Sequence, residues 1–157
     1  MDAADRAFGL LAFQVNRHLV DHMLRLSRAF SLGFEEIMLW GVLSHQNVAH
    51  LLPPGAAPAS VLDEHGNPQA HGGAALRPLR VRDLVQITGL PRETVRRKLA
   101  TLEQRGLVKK LDSSGWIMVR EAITGETRAF TLETVRRLLE TANAVQQTLD
   151  AARQGSD

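Results

Sequence analysis

Four cations and one carboxylate crowd into seven residues, Arg92-Glu93-Thr94-Val95-Arg96-Arg97-Lys98. Arginine offers a planar fork of donors that matches the acceptor edge of guanine, and glutamate accepts from the exocyclic amine of cytosine. Thr94 and Thr101 bring hydroxyl and methyl groups suited to a phosphate or a thymine methyl. Arg96, Lys98, Lys109 and Lys110 supply charge that neutralises a phosphate backbone. No catalytic constellation competes with this reading. The sequence has no nucleophile-elbow glycine pattern, no Gly-rich phosphate loop with a following lysine, and no GxGxxG after a strand. An enzyme is therefore not expected, and no cofactor is implied.

The elements that must position these side chains can be read around them. Apolar spacing predicts a short helix over Val81–Thr88, a turn at Gly89–Pro91 and a longer helix over Arg92–Arg105. Gly89 tolerates the positive φ that closes the first helix, and Pro91 suits the first turn of the second. Val95, Leu99 and Leu102 recur at i, i+4 and i+7, a narrow stripe for a core. Arg92, Glu93, Thr94, Arg97 and Thr101 fall outside that stripe. Gly106 ends the helix. Leu107–Leu111 and Trp116–Val119 then read as two strands around the turn residues Asp112–Gly115, with Arg120 just beyond. Helix, turn, helix and hairpin make a winged helix-turn-helix over 79–120.

Charge separates this from an ordinary solvated face. From Arg77 to Lys110 there are ten Lys/Arg against three Asp/Glu, a local +7, whereas the whole chain carries +2 and the remainder therefore −5. Concentrated positive charge on one segment is the footprint of a phosphate-backbone partner.

The run Ile87-Thr88-Gly89-Leu90-Pro91-Arg92-Glu93-Thr94-Val95-Arg96-Arg97 resembles the recognition region of winged-helix regulators of the cyclic-AMP receptor family. Leu99, Leu102, Glu103, Gly106, Leu107 and Val108 continue a pattern shared with many bacterial winged-helix regulators. The resemblance covers about 40 residues and implies that Arg92, Glu93 and Arg97 read bases in duplex DNA. No glycine-punctuated β-roll precedes it, so a cyclic-nucleotide pocket is not implied. The wing tip, Asp112-Ser113-Ser114-Gly115, lacks the arginine that multiple-antibiotic-resistance-type regulators push into the minor groove.

At 157 residues, 44% hydrophobic and 23% charged, the composition is that of a soluble globular chain. No apolar run approaches eighteen residues and no signal-peptide pattern follows Met1, so no membrane partner is expected. Zero cysteines exclude disulfides and thiolate metal sites and agree with a cytoplasmic setting.

Residues 1–52 read as N-terminal helices for dimerisation or core packing. The first spans Asp2–Arg28, with Phe8, Leu11, Val15, Leu19, His22, Leu26 and Phe30 on one stripe and further apolar groups beside it. Two readings fit: burial on two sides, against its own domain and against a second subunit, or a central core helix in a monomer. The second helix, Phe34–Leu52, carries Ile37, Met38, Gly41, Val42, His45, Val48, Ala49 and Leu52 on its expected inner face. Gly41 admits either a close helix approach or a small local cost. Residues 53–78 hold five of the six prolines and no periodicity, which makes them a linker or a surface loop. Residues 121–157 read as a connection over Glu121–Phe130 and a final helix capped by Thr131. Val135, Leu138, Ala142, Val145 and Leu149 form a short heptad seam expected to pack on the first helix. This layout of terminal helices resembles small winged-helix repressors of the multiple-antibiotic-resistance and PadR-like kinds, and implies a homodimer.

The expectation is thus a mainly α homodimer with a small β-hairpin wing and N- and C-terminal dimerisation helices, binding double-stranded DNA as a transcription regulator. Two alternatives stay open. A winged helix can dock protein instead of DNA. A gated regulator would need a metal or small molecule: His18 and His22, four apart, are the metal candidates, with His45, His50, His65, His71, Asp63 and Glu64 as further ligands. Phe34, Met38 and Trp40 fit an apolar pocket or a plain core equally well.

Overall fold

The computed structural model of the chain describes residues 2–51, 76–112, 115–119, 122 and 124–154. They fall into two compact units: Met1–Leu32 with Ile123–Asp157, and Gly33–Ala122. The elements in order are α1 (Ala3–Arg6), α2 (Phe8–Phe30), α3 (Phe34–Val48) with a 3₁₀ turn (Ala49–Leu51), α4 (Val81–Thr88), α5 (Arg92–Gln104), β1 (Val108–Leu111), β2 (Gly115–Met118) and α6 (Gly125–Gln154). No helix among the described residues is long and apolar enough to cross a membrane. Most of the 53–78 segment lies outside the described residues.

In the central unit, α4 and α5 form where the punctuation residues require. Asp83 accepts the Arg80 N–H at 2.8 Å to open α4, and Gly89 closes it at φ 70° with its N–H on the Val85 carbonyl. Pro91 stands at the N-cap of α5, and Gly106 follows the helix at φ 69°. Val95, Leu99 and Leu102 are fully buried beside Leu84 of α4 and Leu39 and Leu43 of α3. This core joins three helices, so α3 belongs with the helix-turn-helix. Grouping 1–52 as one N-terminal unit is not how the chain divides.

The inner face of α3 also differs from expectation. Ile37, Leu39, Leu43 and Asn47 are buried, while Met38, Gly41 and His45 face solvent and Val42 is half-buried. Apolar residues run almost all the way round this helix, and its buried face includes an asparagine, so hydrophobic spacing alone selects the wrong side. Asn47 earns its burial with three hydrogen bonds. Its amide donates to the carbonyls of Arg77 (2.7 Å) and Trp116 (3.4 Å), and its oxygen accepts the Met118 N–H at 2.7 Å.

The wing is an antiparallel pair with Val108 opposite Met118, Lys109 opposite Ile117, Lys110 opposite Trp116 and Leu111 opposite Gly115. Leu79 adds an isolated bridge on the other side of β2: it exchanges two backbone hydrogen bonds with Trp116, at 3.0 and 2.8 Å. Gly115 is required there. Its φ is 125°, and a Cβ would lie 2.6 Å from the Leu79 carbonyl oxygen. The sequence and this geometry define a mainly α winged helix-turn-helix with a two-stranded wing.

The end unit is a helical pair. The first helix is broken at Ala7 and extends to Phe30, and the last begins at Gly125 rather than at Thr131. Thr131 lies inside that helix, where its hydroxyl donates to the Thr127 carbonyl at 2.9 Å and caps nothing. The helices run antiparallel: Gln14 meets Thr148, His18 meets Thr141, Asp21 meets Arg137 and Arg25 meets Thr134. The packed seam of α6 is therefore Thr134, Arg137, Thr141, Ala144 and Thr148. Each stands one residue before a member of the predicted heptad seam. Leu138, the centre of that predicted seam, is 53% exposed.

Candidate nucleic-acid interface

The buried stripe of α5 fixes which side chains its other side presents. With Val95, Leu99 and Leu102 held inward, Arg92, Glu93, Arg96 and Arg97 project to solvent, and Thr94 and Thr101 sit half-buried at the margin. Arg92 and Glu93 occupy the first turn, the part of a recognition helix that reaches base edges first. Among the described residues, no hydrogen bond or ion pair engages the side chains of Arg92, Arg96 or Arg97. Their donors remain available to a ligand. The Thr101 hydroxyl donates to the Arg97 carbonyl at 3.2 Å.

Lys98 is placed differently. Its ammonium lies 3.1 Å from Glu36 and 3.8 Å from Glu35, with the side chain only 22% exposed. It ties α5 to α3 and is not part of the open cationic face, a position set by its place beside Val95 and Leu99 on the inner half of the helix. Glu36 serves both ends of this link: one oxygen accepts the Gly33 N–H at 2.8 Å, the other the Lys98 ammonium. Those bonds hold its carboxyl below the usual carboxylate range, the Gly33 amide first and Lys98 next.

Lys109 and Lys110 are exposed on β1. Glu103, at the end of α5, accepts the Lys110 N–H at 3.2 Å and so fixes the wing to that helix. Arg77, Arg80 and Arg82 are also exposed, the last two at the start of α4. The sequence places all three in the cationic segment without assigning them a role; the signal that could have done so is the position of Arg80 and Arg82 at the start of a helix that a helix-turn-helix lays across the backbone. Arg120, Ser113 and Ser114 lie outside the described residues.

The gating candidates do not converge. His18 and His22 stack with ring centroids 6.4 Å apart, and the His18 Nδ1 pairs with the Thr141 hydroxyl. No group of three His, Cys, Asp or Glu residues able to hold a metal occurs among the described residues. His65, His71, Asp63 and Glu64 fall outside them. His22 is a packing residue against Phe130. Burial, with Arg25 and His18 nearby, lowers its pKa, and Asp21 opposes the shift. Phe34 and Met38 are exposed on α3 and Trp40 is half-buried.

The fold and this cationic face define the class, a winged helix-turn-helix DNA-binding protein. More particularly, residues 73–112 match the IclR helix-turn-helix domain family. The match covers 40 of 157 residues and spans α4, α5 and β1, the elements that carry the exposed arginines and lysines. It supports a DNA-binding transcription regulator of the helix-turn-helix kind, and does not single out the cyclic-AMP receptor, multiple-antibiotic-resistance or PadR-like branches. No curated protein and no solved structure gives a significant match.

Proposed function

We propose that the chain is a homodimeric, sequence-specific regulator of transcription in the cytoplasm that sets α5 in the major groove of duplex DNA. One observation carries the reading: Arg92, Glu93 and Arg97 lie on the open side of a helix whose opposite side is wholly buried, and among the described residues no side chain occupies the arginines. Arg92 and Arg97 read guanine edges and Glu93 accepts from cytosine. Thr94 and Thr101, at the margin, touch phosphate or a thymine methyl. Arg96, Lys109 and Lys110 contact phosphate and set register. Lys98 acts from inside, by holding α5 against α3. No enzymatic step, cofactor or effector is assigned. The homodimer reading draws on the large apolar surface that α2 and α6 leave in solvent.

Selection of bound duplexes from a random pool tests this directly. A two-fold motif containing guanines, bound with steep salt dependence, is the expected result. An absence of any salt-sensitive shift on duplex at micromolar protein would overturn it and favour a protein-docking winged helix.

A further inference from the structure

Backbone groups along an antiparallel strand point alternately to its two sides. Trp116 turns its N–H and C=O toward Leu79, so Met118, two residues on, turns its own to the same side, away from β1. The residue opposite Met118 on that side is Arg77. A continuing ladder would join the two directly. Instead Asn47 of α3 stands between them. Its side-chain oxygen takes the Met118 N–H at 2.7 Å, and its amide gives to the Arg77 carbonyl at 2.7 Å, with a longer bond of 3.4 Å to the Trp116 carbonyl. Its own carbonyl accepts the Arg77 N–H at 3.0 Å. The Asn47 amide thus replaces a peptide group in the ladder and ties both segments to one helix.

Packing alone does not call for an asparagine. An apolar residue would join Leu39 and Leu43 in the same core without the cost of burying an amide, but it would hold β2 in no particular orientation. Aspartate has no donor for the Arg77 carbonyl. A planar amide with its acceptor and donors fixed fits one placement of β2 against α3. That placement orients the wing. Lys109 and Lys110 pair with Ile117 and Trp116, the two residues before Met118, and both lysines are exposed. At the far edge of β1, Glu103 of α5 holds the Lys110 N–H. The wing is gripped on both edges, by α3 on one and by α5 on the other.

We infer that Asn47 is a positioning residue for duplex binding: acting through β2, it fixes Lys109 and Lys110 relative to α5, so that wing and helix meet one duplex together. The inference rests on the DNA reading above.

A cycle with Lys110 tests it, on the full chain and the selected duplex. Lys110→Ala alone should lower the salt slope by about one. In Asn47→Ala, adding Lys110→Ala should change the slope by less than about 0.3, because a wing free to swing no longer delivers the charge. Discrimination between selected and random duplex, which belongs to Arg97, should stay within about twofold of wild type. Leu39→Ala opens a void in the same core and removes no hydrogen bond, so it should leave the full Lys110 effect. A slope change near one in the Asn47→Ala background, or its loss in Leu39→Ala as well, would overturn the inference. Should Asn47→Ala not fold, the wild type decides by hydrogen exchange without DNA. The Met118 amide should exchange as slowly as those of Val95 and Leu99, and exchange about a hundredfold faster would overturn the clamp. A wild type that protects Met118 yet binds no duplex would remove the DNA reading, which tells that failure from failure of the clamp.

Discussion

Arg97 and Lys110 are both exposed cations on one unit, yet they answer to different physics. Arg97 projects from α5 with a fork of donors that fits only certain base edges. Lys110, on the wing, presents a point charge that any phosphate satisfies. Arg97→Ala should therefore weaken binding to the selected duplex by about 1–3 kcal/mol and narrow its margin over random duplex. Lys110→Ala should weaken both alike and lower the salt slope by about one. Anisotropy titrations of both variants on both duplexes check this; identical behaviour would void the assigned roles. Lys98 makes the limits of residue-scale reading plain. It sits in the same cationic run, but a side chain's direction depends on what its helix packs against, and the partner, Glu36, is 62 positions away. The Gly33 amide and Lys98 favour the ionised Glu36, so its contribution to stability is present above the unfolded carboxylate range, near pH 4.5, and is lost as pH falls through the lower folded value. Glu36→Gln should flatten the decline in stability between about pH 5 and pH 3, read from urea midpoints across that range.

At the scale of elements, legibility followed punctuation. The bounds of α4 and α5 were readable because Gly89, Pro91 and Gly106 each impose a backbone condition that no neighbouring residue meets. The face of α3 was not, because Ile37, Met38, Leu39, Val42 and Leu43 leave no polar side to orient it. The residue that decides its direction is Asn47, which hydrophobic patterning reads as solvent-facing. It is fully buried and satisfied there, its amide shared between the Arg77 and Trp116 carbonyls and its oxygen on the Met118 amide. Asn47→Ala would orphan that amide and open a small void, and is expected to destabilise the central unit by about 3 kcal/mol. Chemical denaturation followed by the fluorescence of the central unit's two tryptophans, Trp40 and Trp116, should show the loss. A change below about 0.5 kcal/mol would mean that the clamp is not what holds the wing.

At the scale of the whole molecule, the two units pose opposite problems of stability. The central unit buries Leu39, Leu43, Leu84, Val95, Leu99 and Leu102 completely. The end unit buries only Ala3 and Leu32 among its described apolar residues, and its long helices meet through threonines, a glutamine, ion pairs and the edge-on rings of Phe30 and Phe130. The heptad at Val135–Leu149 is expected from its spacing to pack on the first helix, but the positions that meet α2 stand one residue earlier, at Thr134, Arg137, Thr141, Ala144 and Thr148, because polar pairs rather than the apolar stripe join the two helices there. Exposed pairs such as Arg137 with Asp21 contribute little each, and Glu133, held ionised down to about pH 2 by its hydrogen bonds to Arg136 and Arg137, orders one turn of α6 without making a core. A hairpin of this kind is too thin to persist by itself, so its melting should be coupled to dissociation. For two chains unfolding together, each tenfold rise in protein concentration adds about 1.4 kcal/mol to the stability of the assembled state. The end-unit transition should then rise by roughly 3–6 °C per decade of concentration. Far-ultraviolet circular dichroism from about 1 to 100 μM measures it, with the fluorescence of Trp40 and Trp116 in the central unit as an internal reference. A helical transition that does not move with concentration would show that one chain's α2 and α6 are stable unaided, with their apolar sides left in water.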